Sequence, residues 1–154
     1  MNILIIEDDT HKLKQISEFI TECDSGYEIA LARSYQSGLK SAFSRRFDLV
    51  LLDMSLPTFD VKSGEDGYKF IKTAGIDILT EFRRKKNDAK VIIVTQFDSF
   101  GEGSDYIELK TLKQQLRERF GKNYVGAVYY EASQVRWKSE LRKMIEKIAN
   151  LHND

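Results

Sequence analysis

The sequence predicts a three-layer α/β domain built around a parallel sheet of five strands. Two observations carry this prediction. Five short segments are dense in Ile, Leu, Val and Tyr: "NILII", "YEIALA", "DLVLLD", "KVIIVT" and "YVGAVYY". The most continuous of these apolar runs read as strands buried on both faces. Between them lie stretches whose apolar residues recur at helical spacing, so strands and helices alternate along the chain. Alternation of this kind demands parallel strands with right-handed crossovers and helices on both sides of the sheet. The 154 residues contain no internal repeat, low-complexity segment or linker, so one domain is expected over 1–154.

The opening strand, from residue 2, runs straight into Glu7, Asp8 and Asp9. Leu13, Ile16, Ile20 and Cys23 then form a helical stripe behind a cap at Asp9 or Thr10. After the second strand (27–32), Ser34 caps a helix with Leu39, Ala42 and Phe43 on its inner face. The third strand (48–53) again ends on an acid, Asp53. Pro57 and the glycines of "MSLPTFDVKSGEDG" mark a loop. From Tyr68 to about Arg84 the spacing is helical, although Gly75 weakens that helix by roughly 1 kcal/mol and allows a break. The fourth strand (90–95) ends on Thr95 and leads into the polar loop "QFDSFGEGSD". Leu109, Leu112, Leu116 and Phe120 make a further helix. The fifth strand (124–130) precedes a last helix capped by Ser133 and carrying Trp137, Leu141, Met144, Ile145 and Ile148.

Composition narrows the function classes. Lys plus Arg and Asp plus Glu both number 24, so no broad electrostatic footprint for direct nucleic-acid or membrane binding is expected. The local basic runs at 83–86 and 110–119 read as solvated helix faces. A single cysteine excludes an intrachain disulfide, and Cys23 reads as a buried helix position. No signal peptide and no long apolar run is visible, so a soluble, cytoplasmic protein is the expectation.

Open parallel sheets bind ligands at the carboxyl ends of their strands, near the point where strand order reverses. Glu7 and Asp8 end the first strand, Asp53 the third and Thr95 the fourth, so all converge on one edge. Carboxylates within about 5 Å of one another do not all ionise cheaply; one takes up a proton or a cation compensates them. Oxygen donors without a thiolate or imidazole select Mg²⁺ or Mn²⁺ over zinc. His11, at the helix start, reads as solvent-exposed. A carboxylate is also a nucleophile toward phosphoryl groups, and Thr95 offers a hydroxyl to a phosphate oxygen. Any one acid alone reads equally well as a helix cap or turn former; the conjunction of all three strand ends is what points to phosphoryl transfer.

"ILIIEDD", "DLVLLDMSLP" and "VIIVT", in this order and spacing, resemble the response-regulator receiver domain of two-component signalling over nearly the whole chain. The resemblance implies a flavodoxin-like sheet of order 2-1-3-4-5. It implies that Asp53 is the phosphoacceptor and Thr95 the switch hydroxyl. Asp8 and Asp53 would contact Mg²⁺ (or Mn²⁺) directly, Glu7 through water, and Ser55 through its backbone carbonyl. The implied partners are a histidine kinase or phosphotransfer protein and an effector protein. Partners, or a second copy in a homodimer, would use the face of the fourth helix, fifth strand and fifth helix, which carries Tyr106, Lys110, Lys113, Arg117 and Tyr129. No enzymatic turnover is expected, since an aspartyl-phosphate phosphohydrolase needs a second acid where Ser55 stands. A flavin site is disfavoured because acids follow the first strand, and no P-loop is present; "GEG" at 101–103 is too weak a nucleotide signal.

Three departures from the family's pattern bear on function. Its Lys-Pro pair at the end of the fifth strand is replaced by Tyr130 and Glu131, or by Tyr129 in a shifted register. Gln96 follows Thr95, where a small residue is usual. The loops 58–67 and 96–105 are long and either gate the site or are plain insertions. The missing ammonium predicts slow phosphorylation with a muted structural response that Tyr130→Lys strengthens, unless another cation such as Lys122 stands in. Weak Mg²⁺ binding is expected, with Asp53→Asn relieving repulsion and raising stability without metal. The competing function is a pseudo-receiver, a protein-interaction module independent of phosphate.

Overall fold

The structure, a computed structural model, describes residues 1–61 and 69–153. The main layers among the described residues are β1 Asn2–Ile6, α1 Thr10–Cys23, β2 Glu28–Ala32, α2 Tyr35–Ser44 and β3 Leu49–Leu52, then α3 Ala74–Arg84, β4 Lys90–Thr95, α4 Leu109–Phe120, β5 Tyr124–Tyr129 and α5 Arg136–Asn153. The sheet order is β2-β1-β3-β4-β5 with every pair parallel, which is the expected 2-1-3-4-5.

Side chains alternate across a strand, so each strand feeds two cores. Ile3, Ile5, Leu49, Leu51, Ile92 and Val94 pack with Leu13, Ile16, Phe19 and Ile20 of α1 and with Trp137, Leu141 and Ile145 of α5. Leu4, Ile6, Val50, Leu52, Val91 and Ile93 pack on the other face with Ala42 of α2, Ile78, Leu79 and Phe82 of α3, and Leu112, Leu116 and Phe120 of α4. The two periods, 2 in the strands and 3.6 in the helices, thereby produce three layers.

The helix starts follow local hydrogen bonding. Asp9 caps α1 by accepting from the Lys12 N–H at 2.9 Å, which decides between the two expected caps. Ser34 caps α2 by accepting from the Ser37 N–H, in a reciprocal capping box. Ser133 does not cap α5. It lies in a turn closed by the Gln134 N–H on the Glu131 carbonyl, and the helix begins at Arg136.

Helix α3 begins at Ala74 rather than near Tyr68, a residue outside the described ones. The chain before it is committed elsewhere: Phe70–Ile71 pairs antiparallel with Leu56–Pro57. The Gly75 N–H donates to the Met54 carbonyl at 3.1 Å, and a Cβ on Gly75 would lie 2.9 Å from the Met54 sulfur and 3.2 Å from the Asp53 carbonyl oxygen. Gly75 is thus the point where the first turn of α3 meets the end of β3.

The 96–105 segment is less irregular than expected. Ser99–Phe100 pairs antiparallel with Ile107–Glu108 around a 3₁₀ turn at Gly103–Asp105. Gly101 adopts φ 78°, and a side chain there would collide with the Asp105 carbonyl. Of the 58–67 loop, Asp60 accepts from the Ser37 hydroxyl at 2.7 Å; residues 62–67 lie outside the described ones. Among the described residues, no helix is long and apolar enough to cross a membrane.

Candidate functional site

Strand parity sets the site. Residues 3 and 5 of β1 and residues 49 and 51 of β3 face α1. One step past each strand end, Glu7 and Asp53 continue that face. Both are buried, at 2% and 4% exposure, while Asp8 is half-buried. Carboxylate oxygens of Glu7, Asp8 and Asp53 lie within 4.8 Å of one another. The acids are therefore gathered as the sequence implied. His11 is exposed, as read.

The residue that sequence reasoning missed is Lys12. It is 1% exposed, and its ammonium rises from the first turn of α1 into the acidic cluster. It forms an ion pair with Glu7 Oε1, donates to Asp53 Oδ2 at 3.1 Å, and donates to the Val94 carbonyl at 2.7 Å. Three acceptors thus satisfy the three N–H donors of the ammonium, which is the condition for burying a charge. A signal was present in the sequence: Lys12 shares a helix face with Ile16, Phe19 and Ile20, at spacings of four, seven and eight. A lysine on a buried face directly behind three acids is a counter-ion rather than part of a solvated face.

Backbone N–H groups hold the second oxygen of two of the acids. Glu7 Oε2 accepts the N–H of Asp8 at 3.0 Å and of Asp9 at 3.3 Å, while Asp53 Oδ1 accepts the Met54 N–H at 2.7 Å. Burial pushes the Glu7 carboxyl up to about 8, against the pull of Lys12 and with help from Asp53. Burial also raises Asp8. For Lys12, burial works to lower its pKa, but Asp53 and Glu7 outweigh it and the ammonium is held above its ordinary value. The ammonium stays charged, and one positive charge serves three acids.

Thr95 closes β4, fully buried, and its hydroxyl accepts the Phe97 N–H at 3.2 Å. It follows directly on Val94, whose carbonyl holds Lys12. Ser55 lies two residues past Asp53 and is partly exposed, and Gln96 is exposed.

At the end of β5 the register is resolved. Tyr129 pairs with Thr95 and is exposed, whereas Tyr130 is buried and its N–H donates to the Thr95 carbonyl at 2.7 Å. Position 130 is thus the one that faces the site. Its ring centroid lies 5.7 Å from the Lys12 ammonium, its hydroxyl is hydrogen-bonded to Gln15 Oε1, and its ring packs 5.1 Å from Trp137. Two expectations change accordingly. Lys122 precedes β5 at the opposite end of the sheet, with its carbonyl bound by the Lys90 ammonium, so it is not the stand-in cation. Tyr130→Lys would place a second ammonium beside Lys12, and repulsion, not a stronger response, follows.

The arrangement can hold a hard cation. Glu7 has its oxygens occupied by Lys12 and two backbone N–H groups, whereas Asp8 is partly open to solvent beside Asp53. Asp8 supplies the accessible oxygens, and Asp53, which holds Lys12 and a single backbone N–H, has more lone-pair capacity left for Mg²⁺ or Mn²⁺ than Glu7.

Comparison with known proteins gives a consistent answer. The profile of the Response regulator receiver domain matches residues 3–114. The Detocs response regulatory protein DtcB of Enterobacter cloacae is 30% identical over 96% of this chain and 100% of its own length. Among solved structures, the response regulator TrrA of Thermotoga maritima, in complex with Mg²⁺ and beryllofluoride, is 24% identical with a TM-score of 0.60, covering 96% of this chain and 97% of that one. A CheY-like receiver domain from Methanospirillum hungatei is 20% identical with a TM-score of 0.64, covering 99% and 96%.

Proposed function

The chain belongs to the response-regulator receiver domain family, and from that premise we propose that it accepts a phosphoryl group on Asp53 in a Mg²⁺-dependent reaction and signals through a protein partner. The observation that carries this reading is the gathering of Asp8, Asp53 and Thr95 at one sheet edge, with Glu7 and a buried cation beneath them.

In the proposed step an Asp53 carboxylate oxygen attacks phosphorus. An O–P bond forms, the bond from phosphorus to the donor's imidazole nitrogen breaks, and that nitrogen takes up a proton. Asp8, Asp53 and the Ser55 carbonyl, with Glu7 behind them, would hold a Mg²⁺, whose charge would offset the repulsion between nucleophile and phosphate. The Met54 N–H fixes one Asp53 oxygen and so orients the carboxylate. Thr95 supplies a hydroxyl toward the phosphoryl group. The donor is a phosphohistidine of a histidine kinase or phosphotransfer protein, and the readout is an effector protein. A homodimer through α4, β5 and α5 would use Tyr106, Lys110, Arg117 and Tyr129, all exposed, and Lys113, which is partly buried.

One observation favours the phosphate-independent reading: Lys12 already compensates Glu7 and Asp53 without any metal. Incubation with radiolabelled acetyl phosphate decides between the two. Label retained by wild type in Mg²⁺, lost in chelator and lost in Asp53→Asn, supports the receiver reading. Equal labelling of wild type and Asp53→Asn rules it out.

A further inference from the structure

We infer that Lys12, on helix α1, is the cation that pairs with the phosphoryl group on Asp53, and that it carries the change of charge to Val94–Thr95 and, through Tyr130, to Trp137. The inference rests on the reading of Asp53 as phosphoacceptor.

Three observations support it. The Lys12 ammonium already touches Asp53 Oδ2, so an added phosphoryl group would form within reach of it. Phosphorylation turns a singly charged carboxylate into a group that carries close to two negative charges, and the nearest fixed cation is the one that responds. The same ammonium holds the carbonyl of Val94, one peptide before Thr95. Any shift toward phosphate lengthens that bond and acts on the strand end bearing the switch hydroxyl.

The end of β5, which supplies the lysine in the pattern this family resembles, is here given to an aromatic. Tyr130 lies against Lys12 and is tethered to Gln15, one helical turn along α1 from the lysine. Lys12 and Tyr130 are therefore complementary: the helix supplies the cation and the strand end supplies the ring beside it. A consequence is that the phosphoryl group pairs directly with α1, and the end of β5 feels it only through the Tyr130 ring. Trp137, the only tryptophan in the chain, packs on both Tyr130 and Phe19 of α1, and so reports on this contact.

The test is a titration of beryllofluoride at millimolar Mg²⁺, read on Trp137 emission, beside labelling by acetyl phosphate. Four proteins are compared: wild type, Lys12→Gln, Lys12→Met and the double variant Lys12→Met/Tyr130→Lys. Lys12→Gln keeps a donor for the Val94 carbonyl without the charge, so it remains informative if Lys12→Met fails to fold. The expected result is an emission change in wild type. In Lys12→Gln the beryllofluoride affinity falls by roughly tenfold or more, the scale of a charge-assisted hydrogen bond, and the emission change shrinks. The double variant, which returns the ammonium to β5, recovers affinity relative to Lys12→Met. A Lys12→Gln protein that matches wild type in affinity and emission overturns the inference alone. A wild type that takes neither label nor beryllofluoride overturns the Asp53 reading and the inference with it.

Discussion

The Lys12 ammonium and the Val94 carbonyl are 2.7 Å apart, joining the first turn of α1 to the end of β4 through the middle of an acidic cluster. Held there, the ammonium also pairs with Glu7 and Asp53, which is how both carboxylates are buried. These contacts determine what removal of Lys12 or Asp53 does.

Lys12→Met leaves Glu7, Asp53 and the Val94 carbonyl buried without their donor. Breaking a buried pair by removing one member costs about 3–5 kcal/mol. Urea unfolding in metal-free buffer should show a loss of that order. Millimolar Mg²⁺ should recover part of it, because a cation that binds only the folded state stabilises by mass action. By the same geometry Asp53→Asn does not relieve a bare repulsion, since Asp53 is a partner of the ammonium. Its stability without metal should show no gain.

The Glu7 carboxyl gives a pH dependence of definite sign. Its folded pKa, about 8, lies above its ordinary 4.5, so the folded state binds more protons between those values. The stability from this group is fully present below about pH 4.5 and is lost as pH rises through about 8. Urea midpoints of the metal-free protein should fall across that window. Glu7→Gln should flatten the fall, and an unchanged slope in that variant would show that another group is responsible.

Gly75→Ala tests the junction of β3 and α3. The new methyl would sit 2.9 Å from the Met54 sulfur and 3.2 Å from the Asp53 carbonyl, so helix or strand end must yield. The expected loss is about 1–3 kcal/mol, typical of overpacking, against the gain alanine usually brings to a helix. Thermal unfolding reads the difference; a more stable Gly75→Ala would mean that α3 shifts freely.

Much of this was legible in the sequence. The five strands, their parallel direction and the convergence of Glu7, Asp8, Asp53 and Thr95 follow from apolar runs that end on polar residues, while the strand order came from the family resemblance. Leu13, Ile16 and Ile20 identified α1, and Ser34 its neighbour's cap. What was not legible depended on tertiary contact. Lys12 was legible only in part: it shares the apolar face of α1, but periodicity says nothing of the three acceptors that an ammonium there would meet. The late start of α3 depended on Phe70–Ile71 finding Leu56–Pro57, a pairing too short to leave a pattern. Tyr130 could be placed only once the register, with its irregularity between Val91 and Ile92, was known.

The central claim is that Asp53 receives the phosphoryl group, and an acyl phosphate has a distinctive chemistry: borohydride reduces it to the alcohol, converting that aspartate to homoserine. The most direct measurement is peptide sequencing by mass spectrometry after treatment with acetyl phosphate and Mg²⁺, then borohydride. Homoserine is expected at position 53 and aspartate at positions 8 and 9, with no conversion when Mg²⁺ is chelated. Homoserine at another position, or none anywhere in protein shown to bind Mg²⁺, would contradict it.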